Sequence, residues 1–184
     1  MTTAQTSFSV SAAQSYREKI FKALGDRDPL QVMAQTASRL EDNVRHHSVV
    51  VLRSRPFERK WTPNEIIGHL VDSEWVYGYR LRLILSEDNP TILGTIQDSW
   101  VTRQLHNERE PSELVEVFRR LREFNLAVWR RTSAADLERT GQHNERGPES
   151  LGLMLRLLAG HDLSHLDQIA RYIEAVRQPV SRSA

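Results

Sequence analysis

Thr62-Pro63-Asn64-Glu65 opens a run of helix-forming residues that continues without a break to Asn89-Pro90. A hydroxyl at the cap, a proline at the first helical position and a glutamate at the third satisfy the free amides of a helix start from both directions. Ile66, His69, Leu70, Ser73, Tyr77 and Ile84 then recur at the spacing of one helix face. A helix of about 24 residues with such a stripe has to cover it with other helices of comparable length.

The same reading finds those partners. Asp28-Pro29-Leu30-Gln31 caps an earlier helix carrying Leu30, Met33, Ala37, Leu40 and Val44, and a shorter segment, Ser11 to Leu24, precedes it and ends near Gly25. Pro111-Ser112-Glu113 opens a third long helix with Leu114, Phe118, Leu121, Asn125 and Val128 on one face and a break near Ser133. Gly147-Pro148-Glu149 is expected to open a fourth, running to about Val176. Ser48 to Arg53 is β-branched and reads as brief extended structure, and no strand-like alternation competes elsewhere.

The expected fold is therefore all-α, a four-helix bundle in one domain over residues 11–177, with a disordered start at 1–10 and a flexible tail at 178–184. Roughly 20 residues separate the second and third long helices, far more than neighbouring antiparallel helices need. A crossover of that length can set the third helix parallel to the second and leaves a ligand site between facing helices.

Composition narrows the chemistry. The 184 residues carry a net charge of +1, with acids and bases interspersed, which argues against a nucleic-acid partner. The cluster Arg119, Arg120 and Arg122 reads as a solvated helix face because Glu116 and Glu123 share it. No apolar run approaches membrane-spanning length and the first residues lack a secretory pattern, so a cytoplasmic protein is expected. Without any Cys, the available ligands and bases are His, Asp and Glu.

Three histidines stand out. In the fourth helix Leu151, Met154, Leu158, His161, His165 and Tyr172 form the inward row, so His161 and His165, four residues apart, lie one above the other on it. His69 occupies the inward row of the second long helix, with Gly68 and Ser73 leaving room around it. Three buried imidazoles without evident charged or amide partners would each need hydrogen bonds, whereas one divalent ion satisfies all three. Three protein ligands leave a coordination position open, as catalytic sites do, and imidazole suits zinc and nickel equally.

Around them the readings are more open. Asp72 is a second-layer acceptor or base, or a plain surface carboxylate; Glu74 and Asp162 read as surface pairs or supporting hydrogen bonders. Arg80 meets an anionic substrate or snorkels to the bundle end. His143 lies in a loop that would line the pocket mouth, while His46, His47 and His106 read as surface or packing residues. Asp98 and Trp100 either cover the site or pack the crossover down.

Trp61-Thr62-Pro63, then Ile67-Gly68-His69-Leu70-Val71-Asp72-Ser73-Glu74, and finally Ala159-Gly160-His161-Asp162-Leu163-Ser164-His165-Leu166-Asp167-Gln168-Ile169 come in an order that resembles the DinB-like family, in its YfiT-like branch. The resemblance covers residues 20 to 177. It implies an up-down-down-up bundle, a divalent ion such as nickel or zinc on His69, His161 and His165, and often a homodimer. It also implies either a metal-dependent hydrolase or a transferase using a low-molecular-weight thiol, acting on a small molecule. A non-enzymatic stress-related metal-binding bundle is the alternative, since fold alone does not establish chemistry.

Overall fold

The computed structural model describes residues 10–178 and is built from helices almost throughout. In chain order these are α1 (Val10–Leu24), α2 (Pro29–His46), α3 (Val49–Arg53), α4 (Pro63–Ser86), α5 (Gln97–Arg103), α6 (Pro111–Trp129), α7 (Ala134–Leu137) and α8 (Leu151–Arg177). Three short strands, β1 (Thr91–Ile92), β2 (Thr140–His143) and β3 (Gly147–Ser150), form one small sheet in that order. No described helix is long and apolar enough to cross a membrane.

Helices α2 and α4 start where their capping chemistry says. The Asp28 carboxylate accepts from the Leu30 amide at 2.9 Å. Thr62 Oγ1 accepts from Glu65 N at 3.0 Å, while Glu65 Oε2 accepts from Thr62 N at 2.7 Å, so both halves of the capping box are made.

Two local expectations are corrected. Gly147-Pro148-Glu149 is a strand: Gly147 sits at φ +77 and turns the chain into β3, an edge strand where proline's missing N–H costs nothing. Helix α8 begins after it, capped by Ser150 Oγ, which accepts from Leu153 N at 3.1 Å. Ser48 to Arg53 is helical, because Ser48 Oγ caps α3 through the Val51 amide and that local bond outweighs the β-branched propensity. The expectations for residues 1–9 and 179–184 lie outside the described residues.

Helices α2, α6, α4 and α8 form the ring of the bundle, with α1 laid along α8. The apolar interior is two clusters rather than one. The first contains Met33, Leu81, Ile84, Trp129 and Leu151; the second contains Leu40, Ile66, Phe118, Leu166 and Ile169. Residue numbers rise from the first cluster to the second in α2 and α8 and fall in α4 and α6. That order fixes an up-down-down-up arrangement with α4 and α6 parallel. Between the clusters, every helix of the ring contributes buried polar side chains: Thr36, His69, Glu74, Arg122, Asn125, His161 and Asp162.

Candidate metal centre

His69 from α4 and His161 and His165 from α8 meet in this belt, with one ring nitrogen of each within 4.8 Å of the others. His69 and His161 are 3% and 6% exposed, and their Nε2 atoms stand 3.0 Å apart. Two imidazoles bound to one ion at about 2.1 Å place their nitrogens roughly 3.0–3.4 Å apart, so the spacing suits a shared cation. His165 pairs its Nδ1 with Gln168 Oε1 at 2.9 Å, which orients the ring and leaves Nε2 for coordination. The expectation of no amide partner is thus corrected for His165: Gln168, one turn on, supplies one.

Burial keeps these imidazoles neutral. Desolvation first, then the neighbouring His165 and His106, lowers His69 to about 3. Desolvation lowers His165 to about 4 and drives His161 well below its ordinary range. Neutral imidazole is the ligand form.

A pH dependence follows. In the unfolded chain a histidine takes up a proton near pH 6.5, whereas in the folded chain these do so only near pH 3–4. The unfolded state therefore binds more protons between those limits. Stability of the metal-free protein is complete above about pH 6.5 and is expected to fall on acidification toward pH 4 by up to about 1.4 kcal/mol per pH unit for each such histidine. Urea midpoints between pH 7.5 and 5 check this; a profile flat across that window and equal to that of a His165→Gln variant contradicts it.

Beside the triad the structure differs from the sequence reading. Asp72 is buried, but its Oδ2 accepts from His106 Nε2 at 2.8 Å and its Oδ1 from Gln104 Nε2 at 3.1 Å. Both oxygens are engaged by the crossover and not by the triad. His106, expected at the surface or in plain packing, is 2% exposed and forms the other half of this dyad. Gly68 makes room for His106 and not for His69: a Cβ there would lie 2.3 Å from His106 Cγ. Trp61 instead packs against His69, ring centroids 4.9 Å apart.

Behind His161 lies a buried charge network: Arg122, expected on a solvated helix face, is inside, and Glu74 and Asp162 are buried hydrogen bonders and not surface pairs. Arg122, 2% exposed, reaches Asp162 Oδ2 at 2.6 Å and Glu74 Oε1 at 2.8 Å, and donates to Met33 O at 2.8 Å. Thr36 Oγ1 donates to the same Asp162 oxygen at 2.7 Å, and Asn125 Nδ2 to Glu74 Oε2 at 3.0 Å. Burial opposes the Arg122 charge, but Asp162 and Glu74 outweigh it and raise the guanidinium pKa. Arg119 and Arg120 are as expected, paired with Glu41 and Glu116 at the surface.

Arg80 and His143 stand apart from the triad. Arg80 is 4% exposed and does not snorkel; its Nη2 donates to the Leu93 carbonyl at 2.6 Å. His143 is in β2 and not in a loop, and is 3% exposed. His46 is exposed, and so are Asp98 and Trp100 on α5, which is anchored by Val101.

The chain is similar to known proteins. A "Putative metal-dependent hydrolase" of Oceanobacillus iheyensis is 32% identical over 110 residues, 59% of this chain and 63% of that protein. One of the same name from Bacillus cereus is 28% identical over 110 residues, 59% of this chain and 62% of its own. The matches thus span less than two thirds of those relatives' length. YfiT from Bacillus subtilis, "a probable metal-dependent hydrolase with an unusual four-helix bundle topology", superposes with a TM-score of 0.68 over 92% of both chains at 19% identity. The family model of the DinB superfamily matches residues 33–169, which include all three histidines, and the chain belongs to that superfamily.

Proposed function

We propose that this chain is a metal-dependent enzyme whose centre is a divalent ion, zinc or nickel, on His69, His161 and His165. The observation that carries the reading is the convergence of three neutral imidazoles from two antiparallel helices, one of them already oriented by Gln168. The relatives' names, metal-dependent hydrolases, support it. When bound, such an ion supplies Lewis acidity and lowers the pKa of a water or thiol at its open position.

The chain's own residues set the surroundings. Gln168 fixes the tautomer of His165, and Trp61 covers one side of His69. Glu74 and Asp162 against Arg122 leave the belt one formal negative charge, which compensates a cation beside it. Gln104 and His106 bind both oxygens of Asp72, which makes Asp72 a positioning residue for the crossover more than a free base.

Hydrolysis is the first reading. Transfer of a low-molecular-weight thiol is the second, favoured by the occupied Asp72 carboxylate, because a thiol activated at the ion needs no protein base. The substrate in either case is a small molecule, and the working form proposed is a cytoplasmic homodimer.

The test assays metal-loaded protein against p-nitrophenyl acetate and, separately, against an aryl chloride with glutathione, bacillithiol or mycothiol. Turnover in one arm, falling to the metal-free level in His161→Ala, is expected. No metal-dependent turnover in either arm favours the non-enzymatic metal-binding alternative.

A further inference from the structure

A second polar cluster lies along α4 from the triad. Eleven residues separate His69 from Arg80, so with about 1.5 Å rise per residue the two levels are roughly 16 Å apart. At that level the small sheet closes over the bundle. His143 pairs with Gly147 and Gly141 with Glu149 across β2 and β3, and residues two apart in a strand share a face. His143 and Glu149 therefore point the same way as Gly141, whose Cα faces Ile84 and Ile92 of the core. Arg80 reaches this edge from α4 through Leu93 O, and Leu93 follows Ile92, the register partner of His143.

The charges in this cluster are unevenly matched. Glu149 is fully buried and fully satisfied: Arg146 grips its two oxygens at 2.7 and 2.9 Å, and Arg17 stands 4.0 Å away. Arg80, by contrast, has no carboxylate at ion-pair distance among the described residues; its polar partner is a neutral carbonyl, and Tyr77 packs 5.3 Å from its guanidinium. Glu149 and Glu145 act on the Arg80 charge only from beyond ion-pair distance, and a buried cation with no contacting counter-charge is an expensive arrangement to keep.

His143 carries a second unmet demand. The Glu145 amide donates to its Nδ1 at 3.1 Å, so Nδ1 is the acceptor and the proton of the neutral ring is on Nε2. Burial first, then the Arg146 guanidinium, keeps the ring neutral, with its pKa lowered to about 4. That Nε2–H is buried and finds no acceptor among the described residues. One cation and one N–H donor at the same end of the sheet, near enough for the Arg80 charge to act on the His143 ring, thus both lack a contacting oxyanion. A water would accept from His143 but would leave Arg80 without a contacting counter-charge. Tyr16, 45% exposed, and the side chains of Arg17 and Arg146, 35% and 28% exposed, give the cluster an outlet to solvent, where the exposed Glu145 carboxylate also acts on Arg80 and Arg146.

We propose that Arg80 and His143 Nε2 form a binding site for a single oxyanion group, a carboxylate or a phosphate, separate from the histidine triad. It is independent of the chemistry proposed at the triad and stands or falls without it.

The test titrates the full chain with inorganic phosphate and, in a second arm, with acetate, against chloride at matched ionic strength. Isothermal calorimetry follows binding in metal-loaded and chelator-treated protein, and the imidazole nitrogen resonances of His143 are followed by NMR. Saturable binding of either oxyanion in both metal states, with a shift at His143 Nε2, is expected; the arm that binds names the group. Affinity should fall about tenfold or more in Arg80→Gln, as loss of a charged hydrogen bond does, and survive in Arg80→Lys. The Lys variant and the wild-type NMR titration keep the test decisive should the Gln variant not fold. Absence of binding beyond chloride overturns the proposal. So does binding that vanishes on chelation, which would put the anion at the triad, or binding that Arg80→Gln leaves unchanged.

Discussion

Arg122→Met is expected to destabilise the folded protein by about 3–5 kcal/mol, the cost of leaving buried charge without its partner. For a chain of this size that corresponds to a fall in Tm of roughly 6–20 °C. The guanidinium joins all four helices of the ring: it ties Glu74 of α4, Asp162 of α8 and the Met33 carbonyl of α2 to α6. Methionine restores most of its volume and covers Phe118, over whose ring the guanidinium lies at 4.7 Å, so packing loss alone would be small. The cost comes from the two stranded carboxylates, both with no exposure. Adding Glu74→Gln and Asp162→Asn should recover much of the loss, since neutral amides still accept and donate in the same belt. Urea unfolding of the single and triple variants reads this directly. A single variant within 1 kcal/mol of wild type would mean that the network does not hold the bundle's middle.

The second large effect concerns the triad itself. An ion that binds only the folded chain stabilises it by RT ln(1 + [L]/Kd), about 4 kcal/mol at a free concentration a thousandfold above Kd. Metal-loaded protein should therefore melt well above chelated protein. In His161→Ala the gap should close, because one imidazole of the three and the 3.0 Å pairing with His69 are gone. The variant should also lose less stability on acidification, since a buried neutral histidine has been removed.

What the residues disclose in advance, and what they hide, divides along one physical line. Helix starts depend on side chains within three residues of each other, and Asp28, Thr62 and the Pro111 start were legible for that reason. The histidine row of α8 was legible from helical periodicity, which is equally local. Partnerships across the fold were not. His106 shows no periodicity toward α4, and only the crossover's path brings it to Asp72, 34 residues away. Arg122 sits among surface arginines in sequence, yet it is the one of that group on the inner side of α6. The glycine beside His69 marks a close approach, that of His106 and not of His69, because a missing Cβ says that something approaches without saying what. The strand at Gly147–Ser150 was hidden by Pro148, which marks helix starts and edge strands alike.

The central claim, one ion on three histidines, is tested most directly by elemental analysis of the purified full chain beside His69→Ala and His165→Ala, each first shown to be folded by circular dichroism. The account predicts close to one divalent ion per wild-type chain and almost none in either variant. Stoichiometric metal retained in both variants, or a wild-type chain that binds no divalent ion when zinc and nickel are offered, would contradict it.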